Sequence, residues 1–233
     1  MVKIFTDGAN IDEMLNDLKS PTVTGVTTNP SLMKVAGITD YIEFANKVVT
    51  NIKDYPISFE VFSDDIQVMK QEAEKIASIA DNVYVKIPVM NTKGESTSEL
   101  IKELSGKGIK LNVTAIFTLD QVEEVVNSLQ NGIPSIVSVF AGRIADTGVD
   151  PIPLMKKALS ITSQKEGCEL LWASTREILN IYQANDIGVD IVTVPPALLK
   201  KYDKLKDKDL YEYSLETVEG FVKDGKELGY SIL

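Results

Sequence analysis

The chain has 233 residues, 44% hydrophobic and 25% charged, with a net charge of -10 and a pI near 4.7. That length and apolar fraction suffice for one packed domain of the size an α/β barrel needs, while the acidity argues against nucleic acid and anionic membrane surfaces as partners. The single cysteine, Cys168, excludes an internal disulfide, and the lack of histidine removes imidazole catalysis, Ser-His-Asp triads and most zinc sites.

Apolar, β-branched runs alternate with longer segments of helical period along the whole chain. Met1–Asn10 has no basic stretch leading into a long apolar one, and no apolar run reaches about 18 residues. A signal peptide and a membrane span are therefore not expected, and the predicted location is cytoplasmic. Strands are predicted at Val2–Thr6, Thr22–Val26, Ile57–Phe62, Val83–Pro88, Ile109–Ile116, Ile136–Phe140, Glu169–Ala173 and Val189–Val194. Helices are predicted near 10–18, 41–52, 65–79, 95–106, 119–130, 152–165, 175–184 and 195–201. Thr118-Leu-Asp-Gln121 and Ser174-Thr-Arg-Glu177 read as capping boxes, and Pro151 and Pro153 fit the first turn of the sixth helix. Eight β/α repeats predict a (β/α)8 TIM barrel; a doubly wound open sheet shares the alternation but usually has fewer strands.

A polar stretch, Lys200–Asp209, follows the eighth repeat, and then a further helix near 212–228 with Leu215, Val218, Phe221, Val222 and Leu228 on one face. Such a helix either closes one end of the barrel or packs on another subunit. No Pro-, Gly- or Ser-rich linker interrupts the chain, so residues 1–233 read as one domain, with 210–233 a C-terminal helix used in oligomer contacts.

Functional groups of such barrels sit at the C-terminal ends of the strands. Here Asp7 ends the first run, Thr27-Thr28-Asn29 the second, and Glu60 lies near the end of the third. Lys86 lies in the fourth, Asn112 and Thr114 in the fifth, Ser138 and Arg143 at and after the sixth, and Ser174 and Arg176 after the seventh. Strand alternation puts Val83, Val85 and Ile87 on the helix-facing side and Tyr84 and Lys86 inside the barrel. By the same alternation Asn112 and Thr114 share a face, as do Ser138 and Phe140. Burying an unpaired charge costs several kcal/mol, so a lysine, a glutamate and several polar groups converging in one barrel point to chemistry. The bland alternative is a structural Lys86–Glu60 ion pair. Taken singly, Asp7-Gly8 reads as a turn, Asn29-Pro30 as a turn or helix entry, Ser174 as a helix cap, and Arg143 and Arg176 as surface charges.

The segments Phe5-Thr-Asp7, Gly25-Val-Thr-Thr-Asn-Pro-Ser-Leu32, Val83-Tyr-Val-Lys-Ile-Pro88, Leu111-Asn-Val-Thr114, Phe140-Ala-Gly-Arg-Ile144 and Ala173-Ser-Thr-Arg176 resemble the motifs of the transaldolase family. The nearest form is the short subfamily that also contains fructose-6-phosphate aldolases. The resemblance implies that Lys86 forms a Schiff base with a ketose phosphate and that Asp7 moves the proton of the substrate hydroxyl during carbon–carbon cleavage. Glu60 and Thr114 match the pair holding the catalytic water. Asn29 and Asn112 match residues that hold the dihydroxyacetone moiety, and Ser138 and Phe140 line the intermediate. Arg143, Ser174 and Arg176 match the phosphate site. No metal or other cofactor is implied, because the iminium serves as the electron sink. Partners implied are sugar phosphates such as sedoheptulose 7-phosphate or fructose 6-phosphate. The subfamily tends to form homo-oligomers, pentamers or decamers. Aldolases of the subfamily carry tyrosine at the position of Phe140 and glutamine at that of Glu60. Transaldolase is therefore the first expectation, an aldolase releasing dihydroxyacetone the second, and a non-catalytic sugar-phosphate-binding barrel the third.

Overall fold

The structure, a computed structural model, describes residues 1–229. Eight strands close into one parallel barrel in chain order. They are β1 Lys3–Asp7, β2 Val23–Thr27, β3 Ile57–Glu60, β4 Val83–Pro88, β5 Leu111–Ile116, β6 Ser135–Val139, β7 Cys168–Trp172 and β8 Ile191–Val194. Pairing of β1 with β8, Lys3 beside Ile191, completes the ring and removes both sheet edges. Closure excludes the open doubly wound sheet: the fold is a (β/α)8 barrel with an additional C-terminal helix.

The first compact unit runs from Met1 to Pro196. Around its strands lie α1 Ile11–Asp17, α2 Pro30–Val35, α3 Tyr41–Asn51, α4 Ile66–Ala77, α5 Ser98–Gly106, α6 Leu119–Ser128, α7 Ala141–Asp146, α8 Ile152–Thr162 and α9 Leu179–Ile187. Five of these helices, α1, α2, α3, α4 and α6, start where a polar side chain caps them. Thr118 Oγ1 accepts from the Gln121 N–H at 3.3 Å and Gln121 Oε1 accepts from the Thr118 N–H at 3.1 Å, so that capping box is formed. Asp65 caps α4 through the N–H groups of Gln67 and Val68. Residues from Ala197 onward form a second unit. It contains nearly all of α10, Pro196–Leu205, and the whole of α11, Leu210–Leu228. The predicted stripe on α11 is exposed: Val218 by 52% and Phe221 by 70%. The part of the 210–233 segment beyond Gly229 lies outside the described residues.

Two sequence expectations are corrected. Ser174-Thr-Arg-Glu177 is not a capping box, because Ser174 has φ +61° and α9 begins only at Leu179. Asn180 takes over instead: its Oδ1 accepts from the N–H groups of Arg176 and Glu177 at 2.9 and 3.2 Å. The connections after β2 and β6, for which the helix prediction is silent, hold α2 and α7, six residues each, so Asn29-Pro30 is a helix entry rather than a turn. Each is too short to show a helical hydrophobic period.

Val83, Val85 and Ile87 are buried on the outer face of β4, as the alternation requires. Inside the barrel, Phe5, Ile136, Leu171, Ala173 and Ile191 form an apolar plug, with Tyr84 and Phe140 packed against it. Gly25 makes room for it, since a Cβ there would stand 2.5 Å from the Phe5 ring. Burying a side chain of this size stabilises the fold by about 1.5–3 kcal/mol. The plug is the floor on which the polar residues of the site stand.

Candidate active site

Register brings the polar residues into one layer. Glu60 lies beside Lys86, Lys86 beside Asn112, Asp7 beside Thr27, and Thr27 beside Ser58 on neighbouring strands. All eleven residues singled out in the sequence line a single cavity of about 430 Å³ above the plug: Asp7, Asn29, Glu60, Lys86, Asn112, Thr114, Ser138, Phe140, Arg143, Ser174 and Arg176. A larger hollow of about 610 Å³ beside α1 and α3 shares Asp7 and Leu32 with it but contains neither Lys86 nor Glu60 nor any arginine. The smaller cavity is the candidate site because a buried lysine, two carboxylates and two arginines converge there and not in the larger hollow.

Lys86 is only 8% exposed. Its Nζ donates to the Thr28 carbonyl at 2.8 Å and stands 3.4 Å from Glu60 Oε2. The other oxygen, Glu60 Oε1, accepts from Thr114 Oγ1 at 3.4 Å, a long and weak bond. The Glu60 backbone is fixed as well: its carbonyl accepts from the Tyr41 hydroxyl at 2.9 Å, and Tyr41 packs edge-on against Phe59 and Phe62. The ion pair of the bland reading thus exists, but it faces an open, polar cavity rather than a closed core.

Asp7 Oδ1 accepts from Thr27 Oγ1 at 2.9 Å. Burial pushes the Asp7 carboxyl above the usual range. The nearby Lys86 ammonium and the Thr27 hydrogen bond offset this in part, and Glu60 adds to it. A carboxylate so placed is a stronger base than one in water.

Asn112 is held from both sides. Its Nδ2 donates to Ser58 Oγ at 3.0 Å, and its Oδ1 accepts from Ser138 Oγ at 2.6 Å. Asn29 Oδ1 caps α2 by accepting from the Leu32 N–H at 3.0 Å, so it is a helix cap and a cavity residue at once. Phe140 packs on Phe117 with centroids 5.6 Å apart, and the Arg143 guanidinium lies over its ring at 5.1 Å. Ala115 and Ser174, the two non-glycine residues with positive φ among the described residues, at +59° and +61°, both line the cavity. Backbone strain of this kind costs of order 1–3 kcal/mol and concentrates at functional sites. Ala115 sits where the β5–β6 register shifts, between Val113 and Ile116.

Sequence reasoning placed Thr27 at a strand end without giving it a role, and passed over Ser58 and the Thr28 carbonyl. Ser58 was findable, since it shares a face with Glu60 two residues on. The lysine's bond to a backbone carbonyl has no sequence signal.

The family described as transaldolase/fructose-6-phosphate aldolase matches residues 4–232. The chain belongs to that family. It is an enzyme of the transaldolase/aldolase type. A probable transaldolase of Thermoanaerobacter sp. (strain X514) is 35% identical over 232 residues, covering 99% of this chain and 100% of the relative. A probable transaldolase of Brucella anthropi is 36% identical over 236 residues, again with 99% and 100% coverage. One of Clostridioides difficile (strain 630) is 35% identical over 226 residues, 96% of each chain. The family match runs from the second residue of β1 through all the other strands, so the cavity described above lies wholly within the region of similarity.

Proposed function

We propose that the protein is a transaldolase that moves a dihydroxyacetone unit from a ketose phosphate, such as sedoheptulose 7-phosphate or fructose 6-phosphate, to an aldose phosphate. The observation that carries this reading is the buried Lys86 amine, set between the Thr28 carbonyl and Glu60 at the base of a polar cavity.

In this reading the unprotonated Lys86 amine attacks the ketose C2 carbonyl. The carbinolamine formed loses water, which Glu60 and Thr114 hold, and leaves an iminium. Asp7 then takes the proton of the C4 hydroxyl. The C3–C4 bond breaks, and its electron pair passes into the iminium to give an enamine. The aldehyde leaves. When an acceptor aldehyde enters, the enamine carbon attacks it and Asp7 returns its proton to the new hydroxyl. Water then adds to the iminium, releasing the product ketose and the free amine. Asn29 and Asn112 hold the hydroxyls of the three-carbon unit, and Ser138 and Phe140 border it. Arg143, Arg176 and Ser174 take the phosphate; two planar donor forks suit its geometry.

Transfer is favoured over release because Phe140 has no hydroxyl with which to deliver a proton to the enamine, and its ring is packed by Phe117 and by the Arg143 guanidinium lying over it. We further read residues 1–233 as one functional domain of a cytoplasmic homo-oligomer, pentamer or decamer, with the exposed stripe of α11 used in subunit contacts. The direct test is a borohydride trap with fructose 6-phosphate followed by peptide mapping. A dihydroxyacetone-sized mass on the Lys86 peptide, absent in Lys86→Met, supports the mechanism, and label on another lysine refutes it.

A further inference from the structure

The two arginines of the cavity are held differently. Arg143 lies over the Phe140 ring. Arg176 is clasped along one edge by the Asp146 carboxylate: Nε stands 3.0 Å from both Oδ1 and Oδ2, and Nη2 stands 2.6 Å from Oδ2. A guanidinium has five N–H donors in a fixed plane. The side-on clasp uses the Nε–H and one Nη2–H. The end-on edge, formed by Nη1 and the second Nη2–H, is left over, and that edge accepts a phosphate bidentately. Asp146 is the last residue of α7 and stands three positions after Arg143, on the neighbouring turn of the same helix face. It does not line the cavity, whereas Arg143 and Arg176 do.

We propose that Asp146 is a positioning residue for the phosphate site: it holds Arg176 side-on so that the end-on edge faces the phosphate. This rests on the reading of Arg143, Arg176 and Ser174 as the phosphate site. An arginine half exposed to water, as Arg176 is at 47% of its side chain, otherwise has to give up its rotamer freedom when the ligand binds, which weakens binding. The clasp removes that freedom beforehand. It also cancels one of the two positive charges, so removing Asp146 has opposed effects: more attraction for the anion, less order in the fork that receives it. Both side chains of the pair are half exposed, where charge effects are screened and small, and loss of order prevails.

The test is binding of fructose 6-phosphate by calorimetry in the Lys86→Met protein, where no covalent step intervenes, together with KM and kcat in the intact enzyme. Asp146→Ala is expected to weaken fructose 6-phosphate binding about three- to tenfold, the range set by charged hydrogen bonds at exposed sites. KM for the phosphorylated acceptor should rise by a similar factor while KM for the phosphate-free acceptor glyceraldehyde and kcat stay within about twofold. Asp146→Asn should also weaken binding, because a neutral amide offers one acceptor oxygen instead of two and no charge to hold the guanidinium, and Asp146→Glu should recover at least part of the loss. Tighter phosphate binding in Asp146→Asn would overturn the proposal and make Asp146 a competitor for Arg176. Equal losses with phosphorylated and phosphate-free acceptors would overturn it by making the residue merely structural. If the Lys86→Met protein with Asp146 intact binds no fructose 6-phosphate, the phosphate-site reading fails and this one with it. Binding that Asp146→Ala leaves unchanged refutes this one alone.

Discussion

Gly142→Ala probes how α7 docks against the 174–176 loop of the proposed phosphate site. A Cβ at position 142 would lie 1.6 Å from the Ser174 carbonyl oxygen, 2.7 Å from its carbon and 3.4 Å from Arg176 Cγ. The first two contacts are with backbone, which cannot swing aside as a side-chain tip can. Restoring an ordinary van der Waals separation requires a relative shift of roughly 2 Å between α7 and the 174–176 loop. Overpacking of this kind costs about 1–3 kcal/mol, and each kcal/mol lowers Tm by about 2–4 °C in a chain of this size. The same shift moves Arg143 on α7 away from Ser174 and Arg176 on the loop, which the Gly142 N–H to Ala173 carbonyl bond at 3.2 Å otherwise ties together. A displacement of about 1 Å at a binding group can cost a hundredfold in rate. Gly142→Ala should therefore lose about ten- to hundredfold in kcat/KM with phosphorylated substrates and clearly less with a phosphate-free acceptor. Calorimetric melting and a coupled assay of dihydroxyacetone transfer measure the two effects. An alanine variant with unchanged Tm and unchanged kcat/KM would show that the helix and loop are not locked together, and the reasoning would fall.

Three further outcomes are expected. Asp7→Asn should abolish carbon–carbon cleavage yet raise Tm at neutral pH. Burial raises the Asp7 carboxyl, so its ionised form is disfavoured by folding, and that penalty is full above the folded pKa and gone below the unfolded one. The gain in Tm over the unmutated protein should therefore shrink as the pH is lowered; a gain that stays constant on acidification would assign it to another cause. Phe140→Tyr should increase the free dihydroxyacetone released per transfer event, measured with fructose 6-phosphate with and without erythrose 4-phosphate, and an unmutated protein that releases as fast as it transfers would remove the case for transaldolase over aldolase. Truncation after Asp209, which removes the exposed stripe of Leu215, Val218, Phe221 and Val222, should lower the mass seen in light scattering, and an unchanged mass would free α11 from any role in assembly.

The eight strands were legible because they are short, largely buried apolar runs, most of them rich in β-branched residues, and such runs stand out against helical segments of longer period. The six-residue helices α2 and α7 were not, although they carry Pro30 and Arg143, because one or two turns show no hydrophobic period. The Ser174 capping box failed for a different reason. Spacing alone cannot distinguish a serine with extended backbone, which can cap a helix, from one at φ +61°, which cannot.

The sequence by itself determined the composition of the site: a lysine, two carboxylates, two arginines and a set of amides and hydroxyls at successive strand ends, in an order shared with a family. It also determined which of them point inward, since alternation along a strand is a local property of the chain. Contacts between strands depend on register and closure, which no local signal carries. Only the tertiary structure decided that Lys86 bonds the Thr28 carbonyl, that Ser58 and Ser138 fix Asn112 between them, and that Asp146 claims one edge of Arg176. Each of these joins residues from different elements, between 26 and 58 positions apart in the chain, and such distances are bridged only when the barrel closes.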